Sequence, residues 1–225
     1  MIEIVIGEDI AAPSVERGKY IAIEGDEGAG KTTQAELLVD WLKGQGQPAE
    51  LVREPGGDPF GEALRQVIKN PAYDHGADEE LLVFTAARIG MRGRVVRPLL
   101  DQGIWVVTDR SELSTFVYQG IAGDLDLKFI ELIQKMVGAV CRPDWFFVLD
   151  IPLETSVQRL AERGEAADAF EIRGHGYRER VNSGYRKLPL VLRDYGYHIQ
   201  VLNGDHQANY VQRQITDIVK PWLKA

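Results

Sequence analysis

The sequence predicts a three-layer α/β fold in which a five-stranded parallel sheet is flanked by helices. Short apolar segments rich in β-branched and aromatic residues alternate along the chain with longer segments of helical periodicity. Strands separated by helices pair in parallel through right-handed crossovers. The first apolar segment also runs directly into a glycine-rich loop, which a helical segment follows. A chain of 225 residues is long enough to bury the core of such a fold.

Five segments have the character of strands. The first is apolar, contains β-branched and aromatic residues and stops at Gly25. The second is short and is ended by a turn that contains Pro55 and Gly56. We predict strands over residues 19–24, 49–53, 104–108, 145–149 and 197–202.

Four longer segments have the apolar spacing of helices. Gly44 and Gly46 should end the first of them, and Pro221 should interrupt the last. In the longest segment, Gly90 and Pro98 are expected to kink or divide the helix. The predicted helices span residues 31–43, 57–68, 77–101 and 207–220.

Composition and charge exclude several classes of protein. The chain is 44% hydrophobic and 27% charged, as in ordinary globular proteins, and its formal net charge of −8 argues against nucleic-acid binding. No apolar run approaches the ~20 residues that span a bilayer. The N-terminus lacks a basic n-region and a cleavage pattern. The single Cys141 excludes an intramolecular disulfide, so we expect a cytoplasmic protein without nucleic acid or membrane as a partner.

The chain is expected to contain one main domain. We assign residues 1–18 to an N-terminal extension and residues 19–225 to the domain that carries the glycine-rich loop. The extension precedes the first predicted strand and has no evident catalytic role. The sequence leaves open whether it adds an edge strand or forms a loose tail.

The loop after the first strand matches the pattern G-x-x-x-x-G-K-S/T, in the strand–helix context that this motif requires. Its glycines let backbone N–H groups face nucleotide phosphates, and the helix N-terminus adds positive potential. Lys31 is predicted to reach the β- and γ-phosphates, and the Thr32 hydroxyl to bind Mg²⁺. The chain has no Asn-Lys-x-Asp element of the kind GTPases use to read their base. The predicted triphosphate site comprises Gly25, Asp26, Glu27, Gly28, Ala29, Gly30, Lys31, Thr32 and Thr33.

Two arginines follow other predicted strands. Arg53 closes the second strand and Arg110 follows the third. The carboxyl ends of parallel strands gather around the ligand crevice, so both arginines should lie near the phosphate loop. Guanidinium groups bind phosphate through paired N–H donors, and Asp109 is well placed to hold Mg²⁺ or its waters. We predict a second phosphate site here, with purely structural ion pairs of these three residues as the alternative.

The phosphate loop and three further segments carry a specific resemblance. The loop is followed by Arg-Glu-Pro-Gly-Gly at 53–57, by Phe-Thr-Ala-Ala-Arg at 84–88 and by Asp-Arg-Ser-Glu-Leu-Ser-Thr-Phe-Val-Tyr-Gln-Gly at 109–120. From about Lys19 to the C-terminus, the chain resembles the thymidylate kinase family of P-loop nucleoside monophosphate kinases. The segments at 53–57 and 109–120 are much more selective than the phosphate loop. The resemblance implies a P-loop kinase fold, ATP as phosphoryl donor, Mg²⁺, and dTMP as the acceptor that is converted to dTDP.

The resemblance also implies roles for individual residues. Arg53 and Arg110 would hold the 5′-phosphate of dTMP. Phe84 would stack on thymine and Arg88 would hydrogen-bond the base; they are four residues apart and so share one helix face, although core packing is an alternative for Phe84. Glu27 would contact the 3′-hydroxyl of the sugar. The rest of the base and sugar pocket would be lined by Ser114, Thr115, Tyr118 and Gln119.

Kinases of this kind close a small mobile lid over ATP to exclude water, and we assign about residues 161–180 to it. In the family the lid reads acid-Arg-apolar-Glu, whereas residues 168–171 read Asp-Ala-Phe-Glu, so the arginine expected at Ala169 is absent. Gly28 likewise lacks the arginine that the eukaryotic type often has there. Arg163 is the predicted replacement, and the alternatives are Arg173, Arg178 and Arg180.

The acceptor is itself a phosphate anion, so the chemistry needs positioning and charge neutralisation rather than a general base. We predict in-line transfer of the ATP γ-phosphoryl group to dTMP. Two other readings stay open: a kinase for dUMP or a 5-substituted dUMP, and a non-catalytic nucleotide-binding relative, which the missing lid arginine suggests. The resemblance also implies a homodimer, for which apolar residues of the segment 125–133 are candidates, as they are for the core.

Overall fold

The computed structural model describes residues 16–138, 141–164 and 169–223. Within these ranges one parallel sheet of order β2-β3-β1-β4-β5 has helices packed on both faces, which confirms the predicted fold class. The strands are β1 (Tyr20–Gly25), β2 (Ala49–Arg53), β3 (Trp105–Asp109), β4 (Trp145–Asp150) and β5 (Ile199–Asn203). The helices are α1 (Lys31–Gly44), α2 (Pro59–Lys69), α3 (Ala77–Met91), α4 (Arg97–Asp101), α5 (Glu112–Thr115), α6 (Leu127–Gly138), α7 (Leu153–Arg163), α8 (His175–Val191) and α9 (Ala208–Val219).

The predicted strands and helices lie within a few residues of the observed ones. Strand β5 begins two residues later than predicted, at Ile199 rather than at Tyr197. The Tyr197 ring instead packs on Phe116 and Phe146, with ring centroids 5.8 Å and 5.6 Å apart. Helix α9 gives way to a tighter turn at Pro221, as expected of a residue without a backbone N–H.

The long helical segment is divided, but the break does not lie at Gly90. Residues Arg92–Val96 form a wider helical turn between α3 and α4. Pro98 lies in the first turn of α4, where proline is tolerated. Because Pro98 cannot donate a hydrogen bond to the Arg94 carbonyl, a regular α-helical path through this point is unfavourable.

The core lies on both faces of the sheet because successive side chains of β1 alternate between them. Ile21 and Ile23 pack with α1 and α9 on one face. Ala22 packs on the other face with α5, α6 and α8. Burial on both faces is typical of parallel sheets and leaves the carboxyl ends of the strands as the place for a site. None of the described helices is long and apolar enough to cross a membrane.

The segment predicted as a lid, residues 161–180, is helical at both ends. Helix α7 continues to Arg163 and α8 begins at His175. The described part between them consists of Gly164 and residues 169–174. Residues 165–168, including the acid of the lid pattern, and residues 1–15 of the predicted extension lie outside the described residues.

Candidate active site

A cavity of about 520 Å³ opens at the carboxyl ends of the strands. Nearly all predicted site residues meet there, although they come from distant parts of the chain. Those that line it are Glu27, Gly28, Gly30, Lys31, Thr32, Thr33, Arg53, Phe84, Arg88, Asp109, Arg110, Ser114, Thr115, Tyr118, Gln119 and Arg163. Three predicted residues of the phosphate loop do not line the cavity and are buried instead: Gly25, Asp26 and Ala29.

The phosphate loop joins β1 to α1. Gly25 has φ 145°, and a Cβ there would lie 2.7 Å from the Leu149 carbonyl oxygen. Gly28 has φ 71°, so a residue with a side chain, such as an arginine, would be strained here. The buried Lys31 donates from Nζ to the Asp26 carbonyl, 2.7 Å away. Burial and the nearby Arg110 lower the pKa of the Lys31 ammonium.

The carboxylate and the hydroxyl that were predicted to hold a metal ion are in direct contact. Thr32 is at the start of α1 and Asp109 is the last residue of β3. The Thr32 hydroxyl donates to Asp109 Oδ2 over 2.5 Å. The side-chain oxygens of these two residues therefore face one point beside the phosphate loop.

Arg110 is held in an unusual backbone conformation. Its φ is 74°, a value rare for a residue with a side chain, and its N–H donates to the Ile23 carbonyl over 2.9 Å. The guanidinium forms an ion pair with Glu27 and lies over the Tyr118 ring, 5.3 Å from its centroid. It also donates to Ser114 Oγ over 3.1 Å.

The Arg110–Glu27 pair fixes the charge of both groups. Burial would raise the pKa of Glu27, but Arg110 and Lys31 outweigh it and lower this pKa to about 2. Burial would likewise lower the pKa of Arg110, but Glu27 raises it well above its ordinary value. The site therefore presents a permanent cation beside a permanent anion.

Glu24, which was not predicted as a site residue, supports the turn after Arg110. This fully buried carboxylate accepts hydrogen bonds from Ser111 N over 2.8 Å and from Ser114 Oγ over 2.7 Å. Burial raises the pKa of Glu24 to about 7, although the hydrogen bond from Ser114 and the charge of Arg110 oppose the rise. An acid inside an otherwise apolar strand was the available signal for this residue.

A further arginine lies near Arg53 in the cavity. Arg65, on α2, also lines it and donates to the Pro55 carbonyl over 3.1 Å. Burial and the neighbouring Arg53 lower the pKa of Arg65. Arg53 itself pairs with Glu62 at 2.8 Å. The sequence did not reveal Arg65 because one basic residue on an amphipathic helix is usually a solvated surface residue.

The part of the cavity predicted for a base is lined from α3. Arg88 is buried, forms an ion pair with Glu54 and donates to Thr115 Oγ1 over 3.1 Å. Phe84 lies one turn earlier on the same helix. Gln119 donates from Nε2 to the carboxylate of Glu80, also on α3, over 2.8 Å. These contacts hold the predicted base-reading groups in one orientation.

Among the predicted lid arginines, Arg163 lines the cavity and pairs with Glu171 at 2.6 Å. Arg173 pairs with the buried Glu80, and Arg180 donates to the Ala122 carbonyl over 3.1 Å. Arg159, one turn before Arg163 on α7, was not predicted from the sequence. Its Nη1 donates to the Gly28 carbonyl over 3.1 Å, which places a cation of α7 against the phosphate loop.

A phosphate loop and a separate group of arginines share one cavity on this parallel sheet, and this arrangement defines a P-loop kinase that acts on a second phosphorylated ligand. A family model described as Thymidylate kinase matches residues 23–215. The chain belongs to the thymidylate kinase family.

Individual relatives agree with this assignment. Thymidylate kinase of Afipia carboxidovorans is 41% identical over 175 residues, which cover 76% of this chain and 77% of the relative. Thymidylate kinase of Ectopseudomonas mendocina is 35% identical over 209 residues, covering 92% and 98% respectively. The crystal structure of thymidylate kinase from Ehrlichia chaffeensis shares the fold, with a TM-score of 0.71 at 24% identity over 90% of this chain and 99% of that chain.

Proposed function

We propose that this protein transfers the γ-phosphoryl group of ATP to dTMP, forming ADP and dTDP. One observation supports this most strongly: the phosphate loop, the arginines and the Phe84–Arg88 face of α3 line the same cavity. A donor phosphate chain, an acceptor phosphate and an acceptor base can therefore be held together. Membership of the thymidylate kinase family supports dTMP as the acceptor.

The residues of the cavity supply positioning and charge for this reaction. Lys31 and the backbone of the phosphate loop hold the donor phosphates, and Arg53 and Arg110 hold the acceptor phosphate. Arg163 also lines the cavity, where it can contact ATP. Glu27 stays ionised beside Arg110 and accepts a hydrogen bond from the sugar hydroxyl. Reaction in line between two polyanions then needs no general base.

The nucleoside of ATP is assigned to a second, smaller cavity of about 320 Å³ at the carboxyl ends of β4 and β5. Arg159 connects this cavity to the phosphate loop, because it contacts both the Gly28 carbonyl and Asp205. The cavity is lined by Asp150, Pro152, Arg186, Val201, Leu202, Asn203 and Asp205.

Assays with a panel of acceptors test the proposed function. With ATP in excess and coupled detection of ADP, dTMP should give a higher kcat/KM than dUMP or a 5-substituted dUMP. Turnover of about one per second or faster is expected, the lower end of ordinary kinase rates. A higher kcat/KM with dUMP would reassign the acceptor. Normal ATP binding without turnover of any monophosphate would show a non-catalytic relative.

Thr32 and Asp109 fit a Mg²⁺ ion, because they bring a hydroxyl and a carboxylate together beside the phosphate loop, and Mg²⁺ prefers oxygen ligands, including one or two carboxylates and substrate phosphates. A Mg²⁺ ion held there would supply positive charge to offset the charge that develops on the transferred phosphoryl group.

Removing Mg²⁺ with EDTA should therefore lower turnover by more than about 100-fold, since metal stabilisation of a transition state is worth several kcal/mol. Excess Mg²⁺ should restore the rate. Asp109→Asn should raise the Mg²⁺ concentration needed for half-maximal activity. An unchanged rate after EDTA treatment would contradict this assignment.

We further propose that the protein forms a homodimer through α3 and α6. These helices pack on each other and leave apolar side chains exposed. On α3, Leu82 and Ile89 are two turns apart; on α6, Phe129, Leu132 and Met136 share one face. A patch of this kind on neighbouring helices is typical of an interface with another protein. Ile130, in the segment predicted for this role, belongs to the core instead.

Sedimentation velocity should show a dimer of the wild type at micromolar concentrations. Leu132→Glu should shift it to the monomer, because it places a charge in a desolvated apolar contact. Leu190→Glu changes an equally exposed apolar residue on α8 and should leave the dimer intact. A monomeric wild type would exclude the proposed interface.

A further inference from the structure

Phe170 lies against the acceptor part of the cavity. It belongs to residues 169–174, the described turn before α8, and it is 8% exposed. Its ring centroid is 5.8 Å from that of Phe84 and 6.1 Å from that of Tyr118. It also lines the same cavity as these two residues. A segment expected to contact ATP thus places an aromatic ring beside the predicted thymine site.

The distance between the Phe84 and Phe170 rings decides whether a base can stack between them. A base between the two rings would lie about 3.5 Å from each of them, so the rings would have to be about 7 Å apart. The observed 5.8 Å is too short, and the two rings are tilted by 39°. A base stacked on Phe84 therefore meets Phe170 at its side, so that Phe170 limits the width of the pocket.

An ion pair holds this turn against α3. Arg173 pairs with Glu80, and its guanidinium lies over the Phe170 ring, 4.8 Å from the centroid. The backbone N–H of Ala169 donates to the Lys69 carbonyl at the end of α2, over 3.2 Å. Contacts made by residues before and after Phe170 in the sequence therefore hold it in place.

Glu80 links this ion pair to the base site. It is fully buried and lies one turn before Phe84, on the helix face that also carries Arg88. Its other oxygen accepts the hydrogen bond from Gln119 Nε2, over 2.8 Å. His75 Nδ1 lies 2.8 Å from the oxygen that pairs with Arg173. One carboxylate thus orients a residue of the predicted base pocket and the turn that bears Phe170.

We propose that Phe170 is a specificity-determining residue for the acceptor, limiting the size of the pyrimidine that fits beside Phe84. The Arg173–Glu80 ion pair positions it. This inference rests on the proposed acceptor, a pyrimidine nucleoside monophosphate. It differs from the expected role of the lid, which concerned ATP alone.

Phe170→Ala should weaken dTMP binding about tenfold or more, because a buried aromatic contact is lost. The KM for ATP should stay within about twofold. The preference for dTMP over a bulkier acceptor, such as 5-ethyl-dUMP, should fall because the pocket becomes wider. Binding of dTMP alone, measured by calorimetry, and steady-state KM values for both substrates provide these quantities.

Arg173→Gln should change dTMP binding in the same direction by several-fold, and Arg173→Lys should recover part of the loss. The protein should still fold, because Glu80 keeps His75 and Gln119 as partners. Ile172→Ala is the matched control: it lies in the same turn, is 60% exposed and does not line the cavity, so dTMP binding should not change.

The outcomes separate this inference from the proposed function. If wild type binds dTMP but does not phosphorylate it, the proposed function fails and the binding data still test Phe170. If Phe170→Ala binds dTMP as wild type does and keeps its acceptor preference, the inference is overturned. A variant that raises both KM values equally and lowers the melting temperature would show a merely structural role, which also overturns it.

Discussion

Replacement of Arg110 by alanine should lower kcat/KM for dTMP by about 10³-fold or more, which is the usual effect of losing an arginine that stabilises a phosphoryl-transfer transition state. Arg110 directly follows β3, lines the cavity and is held there by Glu27 and Ser114. Without it, Glu27 also becomes an unpaired anion next to the acceptor phosphate. Both changes destabilise the transition state, in which the negative charges of the two phosphate groups come together.

Two further variants sharpen this experiment. Arg110→Lys keeps the charge but loses the paired donors of the guanidinium, so it should recover only part of the rate. Arg97→Ala is the matched control. The Arg97 side chain is 62% exposed, does not line the cavity and forms a long surface ion pair with Asp101, at 3.9 Å. It should leave kcat/KM unchanged. If Arg110→Ala stays within a few-fold of wild type, the role assigned to Arg110 is wrong.

Lys31→Ala should lower kcat by about 10²- to 10³-fold, the usual cost of removing one preorganised donor to developing charge. Lys31 is buried in the phosphate loop, and its ammonium contacts the Asp26 carbonyl. Its loss removes the cation that the loop motif places at the β- and γ-phosphates. We expect kcat to fall more than the KM for dTMP rises, because the acceptor is bound mainly by other residues.

Rates measured at saturating ATP and dTMP would test this. Lys43→Ala is the matched control. Lys43 lies in the last turn of the same helix and its side chain is 50% exposed, so this variant should behave as wild type. A kcat for Lys31→Ala within tenfold of wild type would mean that the loop holds phosphate mainly through its backbone.

The parts of the site that could be predicted are those with a local cause. The phosphate loop is contiguous in sequence, and glycine spacing alone dictates its backbone path. Arg53 and Arg110 could be placed because parallel strands bring their carboxyl ends to one edge of a sheet. The structure brings these arginines and the loop to one cavity. Their assignment to individual steps of catalysis stays a prediction.

Other features of the site depend on contacts between distant segments. Arg65 and Arg159 are ordinary basic residues of amphipathic helices until α2 and α7 are packed beside the cavity and the loop. Glu24 is a single acid in a strand, and its partners lie far along the chain. Such pairings depend on helix packing angles and on loop lengths that local patterning does not specify.

The lid is the clearest case. The sequence predicted a loosely structured segment that contacts ATP and lacks an arginine at position 169. The structure extends α7 to Arg163, which lines the cavity, and places Phe170 beside Phe84. The side that the segment presents to the cavity depends on how α8 packs, which short-range periodicity does not encode.

By itself the sequence determined the fold class, the phosphate loop and the family, because strand–helix alternation and contiguous motifs are local properties of the chain. The tertiary structure decided which side chains share the cavity. It set the left-handed backbone at Arg110, the buried carboxylates of Glu24 and Glu80 and the position of Phe170. These features arise only when segments far apart in sequence exclude water together, since burial is what makes their ion pairs and hydrogen bonds specific.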